Sequence, residues 1–144
     1  MIRPLADNDF DQWLPLWQGY LGFYRASLTQ DTTSKTFERL ARREDGLSAL
    51  VAQGDDSYAL IGLAHMVFHP STWSRRPYCY LEDLFVSPRA RGTAVARDLI
   101  TAVYAEADRQ GAARTYWHTQ QYNAPARSLY DQLGNATSFV VYQR

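Results

Sequence analysis

The residues best suited to chemistry lie between Tyr80 and Ile100. The run Arg89-Ala90-Arg91-Gly92-Thr93-Ala94-Val95-Ala96-Arg97 is basic, carries a glycine, and separates a strand-like stretch from a helix-like one. A strand leading through such a turn into a helix presents unpaired backbone N–H groups and the positive end of the helix dipole. Those groups suit a phosphate, and Arg91 and Arg97 add charge. The turn lacks the three glycines of the dinucleotide fingerprint and the Gly-Lys-Ser/Thr of the Walker loop. The second chemical group is Glu82, set in the apolar run Tyr78 to Val86. A carboxylate there costs free energy unless it is hydrated or paired, so it either opens onto a cleft or meets an arginine such as Arg114. Unbroken strand alternation places Tyr80, Glu82, Leu84 and Val86 on one face, with Leu81, Asp83 and Phe85 on the other. On that pattern Asp83 points away from Glu82 and is the weaker candidate.

The elements that must position these groups follow from periodicity. Aromatic and branched residues predict a strand from Tyr78 to Val86, closed by Pro88. Val95, Leu99, Val103 and Ala107 recur at four-residue intervals, predicting a helix that ends at Gly111. Ahead of this unit, Ile2 to Leu5 reads as a short strand and Asp7 or Asn8 as a helix cap. From Phe10 to Tyr24 the residues Trp13, Trp17, Tyr20 and Tyr24 project from one side of a helix that contains Pro15, which is expected to kink it. That stripe is either core or, at Tyr20 and Tyr24, the wall of an amine pocket, since aromatic faces attract cations. A helix from about Ser34 to Glu44, ended by Gly46, precedes strands at Leu47 to Gln53 and Tyr58 to Phe68, joined by the turn Gly54-Asp55-Asp56-Ser57. A strand at Arg114 to Thr119, a helix at Asn123 to Leu133 and a last strand at Phe139 to Tyr142 complete the chain. Strands alternating with helices after early hairpins predict a mixed α/β sheet.

The six residues Arg89 to Ala94 fit Arg/Gln-x-x-Gly-x-Gly/Ala, which resembles the pyrophosphate turn of the GNAT superfamily of N-acetyltransferases. The preceding Leu81-Glu82-Asp83-Leu84-Phe85-Val86 and the later Asn123-x-x-Ala126-x-x-x-Tyr130 resemble further GNAT features in the expected order. Within the superfamily the chain looks most similar to the small-amine, polyamine and D-amino-acid acetyltransferases. The resemblance implies a mostly antiparallel central sheet flanked by helices and splayed at its central strands to admit acetyl-CoA, which serves as cosubstrate without a metal. It implies pantetheine pairing along Leu84, Phe85 and Val86, and bonding to Asn123 beside Ala126. An N–H near Phe85 would serve the oxyanion, and the pyrophosphate would rest on Gly92, Thr93, Ala94, Val95, Ala96 and Arg97 with Arg91. Tyr130 would be the acid for the departing thiolate, and Glu82 the base or binding group for the amine, walled by Tyr20 and Tyr24. Residue patterns alone leave Asn123 as a helix cap and Tyr130 as core. Alanines at 94 and 96 and Thr93 replace residues usual in the family's turn, and Ser138-Phe139 stands where Gly-Phe is usual. Turnover of a small-molecule amine competes here with a non-catalytic acyl-CoA-binding module and with acetylation of a protein lysine or N-terminus. A homodimer is common among similar folds.

Composition agrees with one catalytic domain spanning residues 1–144. Hydrophobic residues make up 46% and charged residues 21%, which excludes a disordered tail. Fifteen basic and fifteen acidic residues cancel, so the overall basic bias of a nucleic-acid partner is absent. The single cysteine, Cys79, is expected to be buried packing and suits a reducing compartment. No apolar run reaches the ~20 residues of a membrane span, and a cytoplasmic location is expected. His65 and His69, four apart in a strand, stand about 13 Å from each other and are read, like His118, as core or edge residues rather than metal ligands.

Overall fold

The computed structural model describes residues 1–144. Five strands lie in sequence order: β1 (Ile2–Pro4), β2 (Leu47–Gln53), β3 (Leu60–His69), β4 (Tyr78–Val86) and β5 (Arg114–Tyr116). All neighbours are antiparallel except β4 and β5. Helices α1 (Phe10–Phe23) and α2 (Gln30–Arg42) precede β2, α3 (Val95–Arg109) connects β4 to β5, and α4 (Ala124–Leu133) follows β5. No helix is long and apolar enough to cross a membrane.

The sheet is buried on both faces, and strand alternation sorts its residues between two cores. Ala49, Val51 and Leu63 join Trp13, Leu16 and Trp17 of α1 and Phe37 and Leu40 of α2. Leu50, Ala52, Ala64 and Met66 join Leu99, Ile100 and Val103 of α3, along with the buried Cys79. Burial pushes the Cys79 thiol up to about 11, which keeps it an inert packing group.

Several local expectations need correction. Neither Asp7 nor Asn8 caps α1. A 3-10 turn at Asp7–Asp9 leads into the helix, and the Asp9 carboxylate accepts from the Ala6 N–H at 2.8 Å. Pro15 lies within α1, which runs unbroken from Phe10 to Phe23. Helix α2 begins four residues earlier than the apolar pattern indicated, at a polar first turn capped by the Thr29 hydroxyl. Arg43, at φ 59°, closes α2, while Gly46 at φ 78° occupies the turn into β2. Phe139 to Tyr142 forms no strand. Its four side chains are exposed, since a β-prone segment becomes a strand only beside a partner, and none of the five strands pairs with it.

The entry to α1 is pinned by one ion pair. Arg3 donates to both Asp9 oxygens, at 2.7 and 2.9 Å, tying β1 to the start of the helix. The Arg3 bond, more than any other influence, holds the Asp9 carboxyl below its usual range. Asp9→Ala is expected to lower the unfolding free energy by about 2 kcal/mol in urea melts at neutral pH. The folded pKa is depressed, so the contribution is full above the ordinary carboxylate range and vanishes as pH falls through the folded value. A loss below about 0.5 kcal/mol would show the pair to be inconsequential.

Candidate active site

The site arises where β4 loses its partner. Strand β5 pairs only with Tyr78, Cys79 and Tyr80, so the second half of β4 has an open edge and the predicted strand to Thr119 stops at Tyr116. Beyond that divergence lies a cleft of about 460 Å³ between β4, the aromatic end of α1 and the face of α4. Ser87 N–H donates to the Ile61 carbonyl at 2.8 Å, and Phe85 stands opposite Leu63. Antiparallel alternation therefore turns the Phe85 N–H toward β3 and leaves the backbone groups of Leu84 and Val86 on the open edge. The Phe85 N–H, expected near the oxyanion, thus faces β3 and not the cleft. Val86 shows the direction already, its carbonyl accepting from Arg91 Nε at 3.3 Å. Phe85 contributes its ring, which lies 5.5 Å from the Arg91 guanidinium and 6.2 Å from the Tyr20 ring. A Cβ at Gly19 would sit 3.0 Å from the Phe85 ring, so glycine there lets the ring lie against α1.

A bulge in β4 redistributes the acids. His65 pairs with Asp83 but the next residue, Met66, pairs with Leu81, leaving Glu82 as the extra residue. Alternation breaks there: Cys79 and Leu81 face the α3 core, as do Leu84 and Val86, while Phe85 faces the α1 core. The expected separation of Glu82 from Asp83 is overturned. Both border a pocket of about 220 Å³ that also includes Trp17, His65 and Arg39. Glu82 lines the larger cleft as well and forms none of the ion pairs. Arg114 instead lies over the Tyr78 ring, 4.7 Å from its centroid. Desolvation first, and the neighbouring Asp83 charge second, raise the Glu82 carboxyl above its ordinary range.

On the opposite wall, Asn123 caps α4, its side-chain oxygen accepting from Ala126 N at 3.4 Å, and it also lines the cleft. The cap reading therefore holds for Asn123, and the same residue borders the cleft. Tyr130 packs edge-on against Trp117 at 5.5 Å between centroids. Burial raises its phenol above the ordinary value, and no hydrogen bond contributes to that rise, so it remains a protonated, uncommitted donor. Tyr20 and Tyr24 line the cleft, with ring centroids 5.1 Å apart. Burial, then the charge of Asp83, push the Tyr20 phenol upward. Both border the cleft, Tyr20 also packing against the α1 core, while Trp13 and Trp17 are core.

The basic turn divides. Arg91 and Ala96 reach the cleft wall. Gly92 adopts φ 77° with nothing within 4 Å of an added Cβ, so backbone conformation rather than crowding requires glycine. Thr93 donates to the Ala90 carbonyl, Ala94 is the residue preceding α3, and Val95 packs against the α3 core. Arg97 donates to Gln132 of α4, which directs its charge along the helix pair. Arg91→Ala is expected to raise the acetyl-CoA dissociation constant about 10-fold by calorimetry, the effect of one charge-assisted contact. An unaltered constant removes Arg91 from the phosphate site.

The profile of the acetyltransferase (GNAT) family matches residues 10–134. The chain belongs to that family. It is 32% identical over 144 residues to the D-amino-acid N-acetyltransferase HPA3 of Saccharomyces cerevisiae, covering 100% of this chain and 89% of the yeast protein. It is 33% identical over 144 residues to the uncharacterized N-acetyltransferase YhfO of Bacillus subtilis, covering 98% and 94%. Its fold matches that of AAC(6')-Iy, solved with the bisubstrate analogue CoA-S-monomethyl-acetylneamine, with a TM-score of 0.85 at 23% identity over 100% and 96% of the two chains. The chain is thus an N-acetyltransferase of the GNAT family, a family that uses acetyl-CoA.

Three features in and around the cleft had no signal in the sequence. Trp117 and His118 line it although they were read only as strand residues. His118 Nδ1 lies 3.2 Å from the Tyr80 hydroxyl, and His69 Nε2 lies 2.7 Å from that of Tyr116, an edge role for His69. Asp83 and His65 meet at 2.9 Å across 18 residues of sequence. Only the strand register brings the last two together, and no local spacing signals it.

Proposed function

We propose that this acetyltransferase transfers the acetyl group of acetyl-CoA to the primary amine of a small molecule, in the class of small amines, polyamines and amino acids. Both substrates are bound when the amine attacks. The reading is carried by one observation: the open edge of β4 faces a cleft lined by the solvent-accessible Glu82 on one side and the uncommitted Tyr130 phenol on the other. The residues fit acetyl-CoA. The Leu84 and Val86 backbone groups face the open edge, Ala96 and Ala126 are small enough for close approach, and Gly92 holds the turn before α3. Bound there, acetyl-CoA supplies an activated thioester.

The chain's own groups supply the rest. An ordinary alkylammonium has a pKa near ~10 and must lose a proton before it can attack. Glu82, with its raised pKa, is a better proton acceptor than an ordinary carboxylate. An N–H on the open edge of β4 donates to the carbonyl oxygen as it gains charge. Tyr130 donates its proton to the departing sulfur, and the aromatic wall of Tyr20 and Tyr24 favours a cationic substrate. The similarity to a D-amino-acid acetyltransferase keeps amino acids within the acceptor class.

The decisive experiment mixes the protein with acetyl-CoA and a panel of diamines, polyamines, D- and L-amino acids and a lysine peptide, following free thiol release. Release dependent on a small amine is the expected result. Release dependent only on the peptide, or none above background with any acceptor, overturns the reading.

A further inference from the structure

Trp13, His65 and Asp83 form a hydrogen-bonded file that runs from the α1 core to the acceptor side of β4. Trp13 Nε1–H donates to His65 Nε2 at 3.1 Å, and His65 Nδ1 stands 2.9 Å from Asp83 Oδ2. An indole nitrogen only donates, so His65 Nε2 is the accepting atom and the ring proton sits on Nδ1, aimed at the carboxylate. Histidine and tryptophan are both wholly enclosed, His65 being 1% exposed and Trp13 0%. The imidazole is further gripped by the rings of Trp13 and Trp17, at 6.0 and 5.1 Å between centroids. At the outer end, the Asp83 side chain is 14% exposed, and no lysine or arginine forms an ion pair with it.

The Asp83 carboxylate is bonded by His65 and by the Tyr20 hydroxyl, yet no lysine or arginine pairs with its charge, which leaves it able to hold a cation. The β4 bulge places it in the same pocket as Glu82, beside the indole of Trp17. Arg39 borders the same pocket but is paired with Asp45, so the two carboxylates beside Trp17 leave a net negative site that matches an ammonium group.

We propose that Asp83 is the second carboxylate of the acceptor site, holding the substrate ammonium while Glu82 removes its proton. His65 is then a positioning residue that fixes the Asp83 carboxylate, and Trp13 a positioning residue that fixes the histidine tautomer. The proposal rests on the acetyl-transfer reading above and adds residues that the family motifs do not include.

The test uses the best acceptor from the amine panel, with steady-state kinetics for the amine and calorimetry for acetyl-CoA. Asp83→Asn and His65→Leu are expected to raise the amine KM about 10- to 100-fold, with the acetyl-CoA dissociation constant changed less than about two-fold. His65→Asn, whose amide N–H can take the place of Nδ1–H, is expected to recover most of that loss. An unchanged KM in folded Asp83→Asn overturns the proposal, as does a His65→Asn that folds and performs no better than His65→Leu. Long-range nitrogen–proton NMR on the unaltered protein gives an independent readout. A proton on His65 Nδ1 supports the file, and one on Nε2 overturns it, whether or not the variants fold. Absence of turnover in the unaltered protein defeats the acetyl-transfer reading instead, and the NMR readout still decides the hydrogen-bonded file.

Discussion

Tyr130→Phe is expected to lower kcat about 100-fold while leaving acetyl-CoA affinity within about two-fold of its original value. The ring packs against Trp117 and fills the same volume in the variant, so the change removes only a hydroxyl that takes no hydrogen bond in the chain. Burial already raises the phenol above its ordinary value, which keeps it protonated at neutral pH. Proton donation to a leaving group by a placed side chain contributes roughly 100-fold or more, about 2.7 kcal/mol of barrier. Stopped-flow thiol release separates the chemical step from product release and makes the comparison direct. A variant with the original kcat would remove Tyr130 from proton transfer and return it to packing.

Loss of the base should be nearly as severe. Glu82→Gln is expected to lower kcat/KM about 100-fold at neutral pH. In the unaltered enzyme the rate should rise with pH through an acid limb lying above the ordinary carboxylate range, because the base works only when ionised and its pKa is raised. Desolvation is the larger cause and Asp83 the next, so Asp83→Asn should move that limb toward lower pH without abolishing it. A limb at an ordinary carboxylate position, or one that Asp83→Asn leaves in place, would show that another group accepts the proton. The linkage has the opposite sign from the Arg3–Asp9 pair. A carboxyl whose folded pKa is raised binds its proton more tightly in the folded state, so ionisation opposes folding as pH rises through that value. Glu82→Gln is therefore expected to cost activity without costing stability, a separation common where polar groups are held for function.

The parts of this fold with strong local signals were legible before any coordinates. Strand β2 begins and ends where predicted, and the aromatic stripe along α1, which its spacing left as core or cleft wall, is core at Trp13 and Trp17 and borders the cleft at Tyr20 and Tyr24. Asn123, Ala126 and Tyr130, singled out by resemblance to the family rather than by periodicity, fall on one wall of the cleft, and Arg91 of the basic turn borders it as well. Features set by pairing were not legible. A bulge changes no residue type, so Glu82 and Asp83 look oppositely directed until Met66 is seen opposite Leu81. The early end of β5 and the absence of a strand at Phe139 to Tyr142 have the same origin, since both depend on a neighbour's ladder rather than on local propensity. The hydrogen-bonded file from Trp13 to Asp83 joins residues from α1, β3 and β4 and is visible only in three dimensions.

The empty space around Gly92 has a consequence for how this turn tolerates change. At φ 77°, with no atom of the chain within 4 Å of an added Cβ, the fold itself selects here by handedness. An L-alanine there is strained by roughly 1 kcal/mol although a methyl group has room. Its mirror-image residue would meet no such strain, so the fold of the loop before α3 imposes a stereochemical constraint on this position.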